Sequence, residues 1–424
     1  MSHQSILADK KKLKRSKKVA QFLSWLPMTL LELVTKAAAD PSGRFAQSQY
    51  PIILNADDIL CILKPKNEDS NNFSLFKRVS GWQISATDSE IIALGSRFCK
   101  KLKKNLKNKT FDREECLGLL NSFLEETRKK VGISCGVDPS DLSYTRVMIE
   151  KLGVFIAQDV SRLVLEACLQ LELWELLETL ISQGLVGHSS STFVLQSLID
   201  AKRSDLICLC IKHFSDFQSS DLISVLKFFL SPQKEAFGSM VKVREEWESQ
   251  ALLAIEKVAS ENLTRKKSNL AKQASVLLMI AHDGFSTSEL CLHYLFASSN
   301  LDELTLSSSI SRLDGSEMSS LIRYMGKWLR KYERFPQAGL CPTAAVVLGL
   351  KACDWVPSLE SIVKYLGLVL DEHFSSLVLY SEFHEELRSM EVVVKSLAME
   401  ASLCCSVANV IENLRTEVGQ HEGA

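Results

Sequence analysis

The sequence predicts an all-α protein: an irregular α-solenoid, or helical-repeat array, that ends in a long helical hairpin and is preceded by a less regular, basic N-terminal region. Three observations lead there. Only 9 prolines and 18 glycines punctuate 424 residues, so long stretches run without a turn signal. Beyond residue 136 apolar positions recur at spacings of three and four, the period of one helix face. Three short segments, opening at Ser191 or Thr192, at Ser204 and at Ser220, start about fifteen residues apart, so that a pair makes a unit on the scale of stacked helical repeats.

Taken in order, residues 1–18 form a basic tail. Seven of the nine positions from Lys10 to Lys18 are cationic: Lys10, Lys11, Lys12, Lys14, Arg15, Lys17 and Lys18. Such a block repels itself and stays solvated, and it reads either as a nuclear or nucleolar import signal or as a lysine-rich helix start. Residues 19–135 are the basic, mainly helical N-terminal region. Pro27 breaks its first apolar stretch, and Pro41, Pro51 and Pro65 punctuate the segment up to Asp88. From Ser89 to Lys109, Ile91, Leu94, Phe98, Leu102 and Leu106 line one helix face. Lys100, Lys101, Lys103, Lys104 and Lys107 crowd the others. This basic amphipathic helix is either a solvated face on a packed helix or a sequence-blind contact for RNA phosphates.

A helix follows over residues 111–131. Residues 136–335 make the helical-repeat domain, with one apolar helix expected from Leu163 to Ile181, then the three serine-opened helices. Longer helices are expected over 235–261, 268–281, 286–298 and 318–332. Residues 336–424 make the C-terminal hairpin. Pro357 stops what precedes it, Ser358 is a good N-cap, and Leu359, Ile362, Val363, Leu366 and Val369 share a face. The partner helix carries Leu387, Met390, Val394, Leu397, Ala401, Cys404, Ala408 and Ile411 as a heptad-like seam. The first five of these are the candidate partner-interface residues.

The net charge of −1 conceals an asymmetry. Residues 1–130 carry 24 Lys and Arg against 14 Asp and Glu, and the remainder carries 26 against 37. The front of the chain therefore points toward an acidic polymer or an import receptor. Twelve cysteines without repeated spacing, several on apolar faces (Cys168, Cys208, Cys353, Cys404), read as buried hydrophobes in a reducing compartment. No run reaches eighteen uncharged apolar residues, so no spanning helix and no membrane partner is expected.

The motif search predicts no enzyme. There is no phosphate-binding glycine loop and no C-x-x-C; Cys208 and Cys210 diverge by about 200° on a helix, and Cys404-Cys405 is expected to be a packed pair. Asp371-Glu372-His373 diverge by about 100° per residue and are expected to end a helix, as is His282-Asp283-Gly284. No catalytic residue, cofactor, metal or small-molecule substrate is expected.

The order Trp355, hydrophobic helix, Leu370-Asp371-Glu372-His373-Phe374-Ser375-Ser376-Leu377-Val378-Leu379, then a long helix with Val394-Lys395-Ser396, resembles the C-terminal end of the nucleolar protein 11-like family. At its widest the resemblance covers Leu321 to Leu414. It implies a non-catalytic scaffold subunit of the small-subunit processome, located in the nucleolus of the nucleus and supporting pre-rRNA transcription and early processing. Its partners would be other protein subunits of that complex, with weak, sequence-independent RNA contact. Members of the family carry a β-propeller before the helical region, and nothing here alternates like propeller blades. The chain would correspond to the C-terminal portion or to a shortened relative. The alternative is a helical-repeat adaptor between proteins, unrelated to ribosome assembly.

Overall fold

The computed structural model describes residues 86–421 apart from 135, 140, 142 and 260–263, with side chains from 87 to 415. The basic tail from Lys10 to Lys18 and the proline-punctuated segment after it lie outside the described residues. Among the described residues there are seventeen α-helices and no strand, so the protein is all-α.

The first two helices are α1 (Ala86–Leu106) and α2 (Arg113–Val131). Asp112 caps α2 by accepting from the Glu115 N–H, and Gly132 ends it in the left-handed region at φ 79°. Leu94, Phe98 and Leu102 of α1 are buried, with Phe98 stacked on Phe123 of α2 at 4.6 Å between ring centroids. The expected apolar face of α1 is therefore the one that packs.

Six helices follow: α3 (Tyr144–Leu152), α4 (Gln158–Gln170), α5 (Trp174–Ser182), α6 (His188–Asp200), α7 (Ser204–His213) and α8 (Ser219–Leu230). Each packs on its neighbour but one: α3 on α5, α5 on α7, α4 on α6 and α6 on α8. The single apolar helix expected from Leu163 to Ile181 is instead two, broken at Glu172. Three successive helix ends share one geometry. The N–H groups of Leu173, Leu185 and Arg203 reach back to the carbonyls of Cys168, Leu180 and Leu198 at 2.9, 3.0 and 3.0 Å. The residue before each is left-handed: Glu172 at φ 52°, Gly184 at φ 66° and Lys202 at φ 58°. This is the Schellman closure, which satisfies carbonyls that the ending helix leaves open. Only one of the three uses glycine, so the sequence announces only one of the three stops.

The serine caps expected at the starts of α6, α7 and α8 are not used. The residues at those ends are Gly187, Arg203 and Gln218, and none of them caps with a side chain. At α7 the first N–H, that of Ser204, donates to the Ser239 hydroxyl of a later helix at 2.9 Å. Arg203 instead forks onto Asp205 at 2.7 and 2.9 Å and lies over the Trp174 ring at 4.8 Å.

After α8 the helices lengthen: α9 (Phe237–Ala259), α10 (Arg265–His282), α11 (Thr287–Ala297), α12 (Glu303–Ile310) and α13 (Gly315–Arg334). Capping boxes open α11 (Ser286 with Glu289) and α13 (Asp314 with Glu317). Gly284, at φ 71°, follows the end of α10 as expected. The last helices are α14 (Ala344–Leu348), α15 (Leu359–Glu372), α16 (Phe374–Leu379) and α17 (His384–His421). Ser358 caps α15 through the Ser361 N–H at 2.9 Å. The expected hairpin of α15 with α17 takes another form, because each packs chiefly on α13. The fully buried Trp328 and Leu329 anchor the apolar face of α13 in the core.

At the centre of α9–α13 sits a buried histidine. His293 of α11 is surrounded by Phe285, Trp328, Trp247 and Tyr324, with ring centroids 4.6, 5.0, 5.3 and 5.6 Å away. Its Nε2 lies 2.9 Å from the Ala281 carbonyl and its Nδ1 2.9 Å from the Tyr324 hydroxyl. A carbonyl only accepts, so Nε2 carries the proton and Nδ1 accepts from tyrosine. Burial pushes the ring's pKa down to about 3. The unfolded chain protonates this ring near pH 6.5, so between about 6.5 and 3 the unfolded state binds more protons and stability falls as the pH drops. The urea midpoint should decline from pH 7 to pH 5, and His293→Gln should flatten that decline while lowering the midpoint at pH 7. Equal slopes in the two proteins would contradict the assignment. Trp328→Ala should cost roughly 3–5 kcal/mol in the same assay.

Candidate functional site

Asp371-Glu372-His373 lies where α15 meets α16. His373 ends α15 and begins α16, and its Nε2 donates to the Ile310 carbonyl at the end of α12, 2.8 Å away. The favourable helix terminus it serves is thus a neighbour's rather than its own. Glu372 accepts from the Ser307 hydroxyl of the same α12, and Asp371 is exposed. The triplet is a brace between α12 and the α15–α16 corner. Cys168, Cys208 and Cys353 are buried, as expected, and burial raises the thiol pKa of Cys168 and takes that of Cys353 up to about 12. The expected packed pair Cys404-Cys405 is instead exposed. Its segment of α17 has left the body of the protein, so an apolar residue there has no core to enter.

Two surfaces remain. On α1 and just past its end, Lys100, Lys101, Lys103, Lys104 and Lys107 are all exposed, and none of them forms an ion pair among the described residues. They stand opposite the face that packs on α2, so their charge is available to a partner in solution.

The second surface is apolar and lies at the C-terminal end of the chain. The first half of α17 docks on α13 through Met390 and Val393, which are buried, and Leu387 and Leu397, which are partly so. Gly326 makes the contact possible: a Cβ there would stand 2.9 Å from Glu386 Oε1 and 3.0 Å from Met390 Sδ. Arg330 of α13 donates to Glu386 at 3.0 Å and to Ser389 at 3.4 Å. From Ala398 to Arg415 every residue is exposed.

The predicted seam therefore divides. Leu387, Met390 and Leu397 face the body, whereas Val394 and Ala401 are exposed. A helix that leaves its support cannot bury a seam that continues past it. Apart from Ile411 of the seam, the bulky residues of the free half are others: Met399, Leu403, Val407, Val410 and Leu414, each more than half exposed. At about 100° per residue they form a stripe roughly a third of a turn away from the docked face. Sequence periodicity held both stripes, and the core-facing one masked the other. By length and composition alone, the helical run from Ser381 to Arg415, which includes most of α17, also passes as a membrane-spanning helix, contrary to the count of uncharged residues; none of the qualifying window is buried.

Next to α17, the part of the resembling segment that forms α16 and its exit is largely surface. Phe374 is 68% exposed, Val378 55% and Leu379 77%, with Tyr380 beside them, and only Leu377 is buried.

No family model and no curated protein matches this chain. Its function is therefore read from these surfaces.

Enlarging Gly326 tests the docked half. Gly326→Val should destabilise the protein by about 1–3 kcal/mol, through overpacking against Met390. Hydrogen exchange should accelerate over residues 384–397 while α3–α8 keep their protection. Unchanged protection of that stretch would show that α13 does not hold α17 through this contact.

Proposed function

We propose that the chain is a non-catalytic scaffold subunit of ribosome biogenesis, acting as the C-terminal region of nucleolar protein 11-like proteins does within the small-subunit processome. One observation carries this reading. Within the segment that bears the resemblance, Ile362, Leu366, Val369 and Leu377 are core, whereas Phe374, Val378 and Leu379, with Tyr380 beside them, form an exposed apolar patch on α16 and its exit. A core motif recurs for packing in unrelated helical proteins, but a contiguous apolar surface patch marks an interaction site. The brace through His373 and Glu372 to α12 fixes the patch on the body. A rigid presentation of this kind suits docking to other protein subunits.

The lysines of α1 supply the second half of the reading. Five exposed ammonium groups on one helix favour phosphate oxygens without reading bases, in keeping with weak, sequence-independent contact to pre-ribosomal RNA. The basic tail from Lys10 to Lys18 supports nuclear and nucleolar import.

Affinity purification of the tagged full chain should recover small-subunit processome proteins, and the tagged chain should concentrate in nucleoli. Phe374→Ser with Leu379→Ser, both at exposed positions, should abolish that recovery without altering the helical signal in circular dichroism. A well-folded wild type that recovers no processome protein would remove the proposal and leave the adaptor reading in its place. Replacing Lys100, Lys101, Lys103, Lys104 and Lys107 by Gln should weaken RNA binding and reduce the slope of log affinity against log salt by about 0.7 for each phosphate that the variant no longer neutralises.

A further inference from the structure

The free half of α17 is unusual in being symmetric along its own length. Met399 and Leu414 stand at equal distances on either side of the midpoint between Ser406 and Val407, and so do Leu403 and Val410. Reversing the helix direction therefore lays Met399 on Leu414 and Leu403 on Val410, and at the centre sets Val407 against Ser406. The charges at its border obey the same inversion. Glu400 and Arg415 flank the stripe on one side, and in an antiparallel pair residues of the same flank meet. Inversion brings Glu400 within one helical turn of Arg415 on the second helix, at both ends of the pair. In this chain alone Glu400 forms no ion pair among the described residues, and Arg415 only approaches the exposed Glu412 at 3.8 Å.

We propose that α17 pairs antiparallel with α17 of a second copy of this chain, through Met399, Leu403, Val407, Val410 and Leu414. A parallel pair would bring the two helical bodies together at the same end, whereas the antiparallel pair sets them at opposite ends of the shared segment. That segment, Met399–Leu414, is about 24 Å long at 1.5 Å per residue. A bilayer is the less fitting occupant. Glu400 lies within the apolar stretch, and the faces beside the stripe carry Ser402, Ser406 and Asn409, which need polar partners in hydrocarbon. The pairing uses α17 and leaves the α16 patch free, so it stands apart from the proposed processome role.

Sedimentation equilibrium of the purified full chain tests it. The wild type should show a monomer–dimer equilibrium with rising concentration, and Leu403→Asp with Val410→Asp should remain monomeric with an unchanged urea midpoint for the body of the protein. Glu400→Arg alone and Arg415→Glu alone should each raise the dimer dissociation constant by about tenfold, because each sets like charges together twice. Mixing these two single variants in equal amounts should recover dimerisation, since every flanking pair is again opposite in sign. A wild type that is monomeric at all concentrations would overturn the proposal, as would a dimer that survives the double Asp variant. Failure of the mixture to recover would overturn the antiparallel register. Co-flotation with vesicles of equal parts phosphatidylcholine and phosphatidylserine, lost in the double Asp variant, would assign the stripe to a lipid surface instead. Loss of processome recovery in the α16 variants, with dimerisation intact, separates the two readings.

Discussion

The C-terminal half of the protein depends on the enclosure of α13. One side of this helix gives Trp328 to the aromatic cage around His293, and another brings Gly326 against Met390 of α17. Both α15 and α17 find their principal support there. Because close packing transmits the position of one side chain to the next, the orientation of α13 fixes where the α16 patch sits and where α17 leaves the body. The missing Cβ of Gly326 lets α17 approach closely, and the Arg330–Glu386 pair sets its register at the edge of the contact.

The two ring nitrogens of His293, enclosed with α13, are satisfied in a way that demands one arrangement. A neutral His293 has one donor and one acceptor, and the Ala281 carbonyl and Tyr324 hydroxyl occupy them in the only consistent sense. Any rotation of α11 relative to α10 or α13 would strand a buried polar atom, a cost that apolar packing alone does not impose. The cage thus specifies geometry as well as burying area. Nothing in the local sequence marks His293 for this role, since an isolated histidine on an apolar helix looks the same whether it is exposed or caged.

What could be read from the chain follows from how local each cause is. The helices α1, α2, α10, α11 and α13 were legible because period, cap and stop coincide within a few residues, as at Asp112, Ser286 and Gly284. The break at Glu172 was not, because a left-handed glutamate is disfavoured locally and is held only by the closure that forms around it. The start of α7 depends on a similarly non-local cause, an acceptor from α9, the Ser239 hydroxyl, arriving there through tertiary contact. The candidate surfaces divide in the same way. The lysines of α1 were found by sequence because charge at helical spacing leaves few places to go. The split of α17 into a docked and a free stripe required knowing where α13 ends.

That last point decides how the free half of α17 should be understood. A helix supported by tertiary contact needs no favourable pattern of its own, but one that projects must either be held by strong propensity or be covered by something else. Beyond Leu397 the segment contains Ser402, Ser406, Val407, Asn409, Val410, Ile411 and Asn413, a composition poorer in helix formers than a free-standing helix requires. Its large apolar residues lie together on one side instead of being scattered, as they would be if solubility alone had shaped the surface. Weak intrinsic helicity and an organised apolar stripe have a common resolution, in which helix formation and burial of the stripe occur in the same event. The free half of α17 is then an element completed by association, and the docked half, pinned to α13 by Met390 and Glu386, gives that association a fixed starting point.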